Sequence, residues 1–277
     1  MKHTSFSGKL VILGFGSIAK GVLPLILRHI DMPKDRMEII TSDLRDVEIA
    51  KTLGIRHTVL PLTRDNYAAE LSTRLSAGDF LLNLSVDVSS VALVKLCREL
   101  GALYLDTCVE PWAGGYTDPA LSPSQRSNYA LRESALALKN QAGPTAVMTH
   151  GANPGLVSHF VKQALLNLAQ DLGIPADVPT TRAAWARLAH DLGIKVIHIA
   201  ERDTQVAGNM PKRRGEFVNT WSIDGFTGEG CQPAELGWGS HEKTLPADGE
   251  RHSFGCDAAI YLMRPGAATR PPCRRLT

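Results

Sequence analysis

No stretch of this chain is apolar for long enough to cross a bilayer. Its longer runs, such as Phe80–Leu84, fall far short of the roughly 20 residues that a spanning helix needs. Met1 to Gly8 lacks the apolar centre of a secretory leader. Charge of one sign is also scarce. Thirty Lys and Arg stand against 28 Asp and Glu, a formal net charge of +2 without the basic excess expected of a nucleic-acid binder. The five cysteines, Cys97, Cys108, Cys231, Cys256 and Cys273, are odd in number, scattered and free of CxxC spacing. They read as reduced thiols rather than a disulfide frame or a zinc site, and no metal is expected. These absences point to a cytoplasmic protein with neither a membrane nor a nucleic acid as partner. What remains is ordinary globular composition, 44% hydrophobic and 21% charged. At 277 residues the chain can bury the core of one large domain or two ordinary ones.

Near the amino terminus the apolar run Lys9–Leu13 leads directly into Gly14–Phe15–Gly16–Ser17–Ile18–Ala19 and a helix-like stretch to His29. This is the strand, Gly-x-Gly-x-x-Ala turn and helix start of a dinucleotide-binding fold. Gly14 permits the tight turn, and Gly16 lets backbone approach a pyrophosphate. Ala19 is small enough for the helix to pack on the strand. The helix start at Ser17 and Ile18 offers free N–H groups to the anion. Glycines also serve plain turns, and the flanking strand and helix give this pattern its weight.

Strands and helices continue to alternate through the first half. Strands are expected at Met37–Ile40, His57–Leu60, Phe80–Leu84 and Ala102–Leu105. Helices are expected over 47–53, 66–75 and 90–100. Such alternation predicts an α/β protein with a Rossmann-type, doubly wound parallel sheet. Ligands of these sheets lie at the carboxyl ends of strands, which marks Ser85, Asp87, Asp106, Thr107 and Glu110. The second strand ends Thr41–Ser42–Asp43, so the acid expected to hold a ribose comes slightly late. Asp43 favours NAD, while Arg45 keeps a 2′-phosphate, and hence NADP, open. Further on, the pattern predicts a long helix over 124–140, a strand over 145–149 and a helix over 156–172. A helix capped by Thr181 should run to Leu192, with a strand over 195–200. The domain change falls near residue 150: residues 1–150 would bind the dinucleotide, and 151–277 would form a second domain.

Asn83–Asp87, Asp106–Trp112, Gly151–Gly155, His198–Gln205, Val218–Ser222 and Gln232–Gly239 occur in this order. Together these segments resemble bacterial-type homospermidine synthases, relatives of the saccharopine dehydrogenase-like enzymes, over about residues 10–270. The resemblance implies a homodimer that uses bound NAD to oxidise putrescine, or spermidine, to an imine with release of ammonia. The aminobutyl group passes to a second diamine, and reduction of the new imine yields homospermidine. It also implies that Glu110, Asn153, Glu201, Trp221 and Glu229 line the substrate site. The side chains suit that role on their own terms, because a diamine dication needs spaced carboxylates. Asp87 joins Glu110, Glu201 and Glu229 as a candidate, each placed after an apolar strand or in a glycine-containing loop. Trp221 facing an ammonium would add roughly 0.5–2 kcal/mol. Each residue also has a plainer reading. A glutamate after a strand is commonly a solvated loop residue, Trp221 would suit a core strand, and Asn153–Pro154–Gly155 would suit a turn.

After Arg270 the resemblance stops, and no acidic residue follows Asp257. The resemblance thus implies a truncated form of the family pattern with a foreign tail, in which residues 151–277 form an incomplete α+β substrate domain, weakly stable through exposed apolar surface. Two alternatives stay open. One is a saccharopine- or carboxynorspermidine-type dehydrogenase, which would need basic residues to clamp carboxylates. The other is a noncatalytic NAD-binding remnant.

Overall fold

Strand segments of two to five residues are too short to be stable alone, and a parallel sheet pairs them and buries its central ones on both faces. In the computed structural model they form β1 (Leu10–Leu13), β2 (Met37–Thr41), β3 (Arg56–Val59), β4 (Phe80–Asn83), β5 (Leu103–Asp106) and β6 (Ala146–Val147). The structure describes residues 1–139, 142–200, 202, 204, 208–211, 213–216 and 223–269. The six strands are parallel in the order β3-β2-β1-β4-β5-β6. The order reverses direction between β1 and β4, the switch point where open α/β sheets form a ligand crevice beyond the carboxyl ends.

The intervening helices are α1 (Ser17–His29), α2 (Val47–Thr52), α3 (Tyr67–Ser72) and α4 (Ser90–Leu100). Local sequence sets their ends. The Ser89 hydroxyl accepts from the Ala92 N–H at the start of α4, and Gly101, with φ 74°, closes it in the left-handed conformation. One face of the sheet packs Val11, Leu13, Leu81, Leu93 and Tyr104, and the other packs Ile12, Ile39, Ala19 and Leu23. The α/β class and the parallel sheet therefore follow the sequence pattern.

A different organisation follows. The helix expected over 124–140 is broken, with a 3-10 turn at Ser124–Arg126 and then α5 (Asn128–Leu136). The cause is Ser127. It is extended (φ −94°, ψ 155°), and its hydroxyl caps the second piece by accepting from the Ala130 N–H. Next come α6 (Leu156–Asp171) and α7 (Arg182–Asp191), the latter capped by the Thr181 hydroxyl as expected. The strand expected over 195–200 does not form, for among the described residues no strand lies beside it to take its hydrogen bonds. Helix α8 (Ile223–Cys231) precedes β7 (Pro233–Gly237), β8 (Gly249–Arg251) and β9 (Ala259–Pro265), an antiparallel sheet in the order β8-β9-β7. This sheet docks on α5. Glu235 accepts from the Asn128 and Tyr129 N–H groups at 2.6 and 2.9 Å, and His252 stacks on Tyr129 at 4.4 Å. No helix among the described residues is long and apolar enough to cross a membrane.

Candidate active site

The two glycines of the first turn have different physical reasons. Gly14 has φ +84°, and a Cβ there would lie 2.6 Å from the Leu84 carbonyl oxygen. The protein's own backbone therefore demands glycine at that position. Gly16 is the N-cap of α1, and a Cβ on it would meet nothing within 4 Å. No protein atom explains its lack of a side chain, but an incoming anion would. No side chain caps α1, and Ser17 and Ile18 are exposed, so the N–H groups of this first turn are left for an anion to accept. Ala19 is buried beneath them. These residues fit the pyrophosphate of a dinucleotide.

Asp43 follows β2, where a ribose-binding acid belongs. Its carboxylate accepts from the Arg45 N–H and Nε, both at 2.8 Å, and these bonds hold it below the ordinary range. The acid expected at a ribose and the residue suited to a 2′-phosphate thus stand together. Ser85 follows β4 with its hydroxyl donated to Asn83 Oδ1 at 2.6 Å, and Asp87 comes two residues later in the left-handed region (φ 63°). Thr107 follows β5, and its carbonyl oxygen sits 2.8 Å from where a Cβ on Gly151 would be. All the cofactor candidates therefore lie past the carboxyl ends of β1, β2, β4 and β5.

The acidic candidates converge next to that crevice. Glu110 is anchored over the start of α4: its N–H donates to the Ser90 hydroxyl, and its carbonyl accepts from the Ser90 N–H, both at 3.0 Å. Burial pushes the Glu110 carboxyl up to about 7, with the charges of Asp87 and Glu229 adding to the rise and the Asp87 N–H opposing it. Glu229 lies on α8 rather than in a loop. Glycines flank it, and α8 runs so close to Gly266 that a Cβ there would be 2.9 Å from the Glu229 carbonyl. The residue stands at the solvent edge, and partial enclosure raises its carboxyl. Asn153 is exposed in the turn before α6, beside Pro154 and Gly155. Glu201 and Trp221 lie outside the described residues.

A cavity of about 1070 Å³ opens beside these groups, lined by Cys108, Tyr116, Thr149, His150, Glu229 and Glu235 among others. Burial and then the Glu110 charge push the Cys108 thiol up to about 12, so it is a neutral wall rather than a nucleophile. The same two causes raise the Tyr116 hydroxyl, which donates to Asn128 Oδ1 at 3.2 Å. A smaller hollow of about 590 Å³ shares Tyr116 with this cavity and is bordered by Trp112, Arg64 and Arg126. The sequence reading did not single out Ser90, Tyr116 or Glu235. Glu235 stands inside a segment quoted for the resemblance, whereas Ser90 looks like any helix-start serine until its contact with Glu110 is seen.

The first part of the chain, residues 10–148, matches the Saccharopine dehydrogenase NADP binding domain family, and residues 151–275 match the Saccharopine dehydrogenase C-terminal domain family. A homospermidine synthase of Blastochloris viridis is 54% identical over 268 residues, covering 95% of this chain and 56% of its own. One from Mesorhizobium japonicum is 49% identical over 275 residues, covering 97% and 56%. The crystal structure of a homospermidine synthase from Legionella pneumophila in complex with NAD superposes with a TM-score of 0.83 at 44% identity, covering 96% of this chain and 56% of that one. The chain thus spans little more than half the length of the relatives it matches.

Proposed function

The chain belongs to the saccharopine dehydrogenase family, and on that premise we propose that it is an NAD-dependent homospermidine synthase. The observation that carries this reading is the set of uncompensated carboxylates beside the dinucleotide crevice. Among the described residues no ion pair reaches Glu110, Asp87 or Glu229. Such a site suits a dication and would repel an oxo acid. The basic residues of the same cavity, Arg98, Arg132 and Lys139, come from the far end of α4 and from α5 with its C-terminal turn. Arg98 donates to the Leu138 carbonyl and Arg132 pairs with Glu133, so both are engaged elsewhere.

In this reading Asp87 and Glu229 hold ammonium groups of putrescine or spermidine, with Asn153, Glu201 and Trp221 completing the pocket. Glu110, poised at about 7, takes a proton from the reacting nitrogen so that hydride can leave the adjacent carbon. A bound NAD would supply the acceptor for that hydride and the donor for the later reduction. The second diamine's amine adds to the imine carbon, ammonia leaves, and Glu110 gives its proton back as the new imine is reduced. Gly14, Gly16, Ser17 and Ile18 would hold the pyrophosphate and Asp43 the ribose, with Ser85, Asp87 and Thr107 bordering the nicotinamide end. The proposal includes a domain change near residue 150, a homodimer and a cytoplasmic location.

The test is incubation of the purified chain with putrescine and NAD, following homospermidine by mass spectrometry and ammonia by a coupled assay. Equimolar homospermidine and ammonia without accumulation of NADH are expected. Turnover of an oxo acid with an amine instead would overturn the reading, and so would NAD binding with no polyamine product. Replacing NAD by NADP should weaken binding.

A further inference from the structure

Asp106 is fully buried at the carboxyl end of β5, with no cation beside it among the described residues. A carboxylate in such a place costs several kcal/mol unless hydrogen bonds replace its water. An apolar side chain would fill the same space without that cost. What the carboxylate adds is direction, because every polar group around it donates inward. The Tyr104 hydroxyl donates to one oxygen at 2.7 Å, the Thr149 N–H donates to the other, and the Ser90 hydroxyl also bonds the carboxylate.

Each donor ties Asp106 to a different strand-end loop. Tyr104 accepts from Asn83 Nδ2 at 3.3 Å, and Asn83 Oδ1 in turn receives the Ser85 N–H and hydroxyl at 3.2 and 2.6 Å. Ser90 bonds both the N–H and the carbonyl of Glu110, and its hydroxyl also bonds that of Tyr104. Thr149 and His150 start the turn that leads to Asn153, and the His150 N–H donates to the Asp106 carbonyl at 2.9 Å. We propose that Asp106 is a positioning residue whose carboxylate sets the loops over 84–87, 107–112 and 149–155 in register with one another. Naming these the loops of one site rests on the function proposed above.

The test uses readouts that need no turnover: NAD affinity by calorimetry, and the protonation of Glu110 followed by NMR of carboxyl-labelled glutamate, assigned with Glu110→Gln. Asp87, Glu229, Asp106, Cys108 and Tyr116 all face Glu110, so the informative substitution is one that removes no charge. Ser90→Ala should lower the Glu110 midpoint by about half a unit or more, toward an ordinary carboxylate, and weaken NAD less than Tyr104→Phe does, because the Ser90 hydroxyl also bonds that of Tyr104. Tyr104→Phe should weaken NAD by about threefold to tenfold and leave the Glu110 midpoint in place. Asp106→Asn should do both. The two branch variants still decide the matter if Asp106→Asn does not fold. The proposal is overturned if each branch variant disturbs both readouts alike, as general loosening would, or if neither readout moves. A chain that binds no NAD at all would sink the cofactor reading instead, and the response of Glu110 to Ser90→Ala would then decide this one alone.

Discussion

The parallel sheet and its helices bury large side chains on both faces, whereas α6 and α7 bury little beyond the seam between them. The sheet encloses two clusters that include Ile12, Leu13, Leu23, Ile39, Leu81 and Leu93. The helix pair closes on Leu165, Ala169 and Leu188, with Trp185 alongside. It leaves Phe160 62% exposed, and Leu168, Leu172, Val196 and Ile197 are exposed too. The sheet and the segments that follow it also carry different parts of the proposed site. Gly14, Gly16, Ser85, Asp106 and Glu110 sit at the ends of packed strands, where a displacement would disturb the core. Asn153 sits on the turn leading into α6, and Glu229 lies at the rim of α8. Chemistry that needs fixed spacing is thus anchored to the sheet, and the parts that cover it have weaker support of their own.

The largest expected effect tests that contrast directly. Ile12, in the middle of β1, has no exposure, and Ile12→Ala should lower unfolding free energy by about 4 kcal/mol. Leu165→Ala, in the thin seam of α6 and α7, should cost about 2 kcal/mol, because neighbours there can relax into the space. Urea titration of both variants measures the difference. Equal losses would mean that the seam is as tightly packed as the sheet, and the comparison would fail.

Next in size is the pH dependence of Glu110, a group the sheet side holds under strain of burial. Its carboxyl is raised to about 7, whereas in an unfolded chain it titrates near the ordinary glutamate value of about 4.3. Between those values the folded chain keeps a proton that the unfolded chain has released. Stability from this group is therefore full in acid and is lost as pH rises through the window, by up to about 3 kcal/mol. Glu110→Gln should abolish that slope and leave the variant more stable than the parent at pH 8. Chemical denaturation at pH 5 and pH 8 reads it. An unchanged slope would mean that Glu110 is solvated, and the sheet side would lose its claim to the chemistry.

Much of this division was legible in the sequence, and the exceptions share a cause. β1, β2, β4 and β5 were found to within a residue or so, because a buried parallel strand is a continuous apolar run with a helix after it. The helix break at Ser127 was missed because one serine decides it, together with Glu235 from a distant strand. Residues 195–200 carry a strand's composition, but a strand also needs an edge to join. The glycine-containing segment around Glu229 reads as a loop in sequence, since glycine is a poor helix former, yet it forms α8, whose Glu229 and Gly230 lie against Gly266. The Asn83–Tyr104–Asp106 chain became visible only with register, since Asn83 and Asp106 are partners across β4 and β5. Local pattern names elements, and pairing decides which polar ends meet.

A smaller effect separates folding from binding at the crevice itself. Gly16→Ala adds a methyl where no protein atom stands within 4 Å, so stability should stay within about 1 kcal/mol of the parent. The methyl would occupy the path of the pyrophosphate, and NAD affinity should fall by about tenfold or more, equivalent to about 1.4 kcal/mol. Gly14→Ala should instead damage the fold, since its Cβ would meet the Leu84 carbonyl. Calorimetry of NAD with the Gly16 variant, beside a thermal melt, shows whether the two glycines part company in this way.

The smallest expected effect lies on the α6 surface. Phe160 is 62% exposed, so Phe160→Ser removes side-chain surface that is already largely in water. A change of this kind away from a core should move unfolding free energy by no more than about 0.5 kcal/mol. Leu172→Ser, at another exposed position beside the seam, should behave the same way. Both should instead reduce self-association on concentration, since exposed apolar side chains in one neighbourhood favour it. Sedimentation velocity alongside a urea titration separates the two responses. A loss of more than about 2 kcal/mol from Phe160→Ser would place that ring inside a packed interface in solution. The helix pair would then have a partner surface, and its apparent weakness beside the sheet would belong to the isolated chain alone.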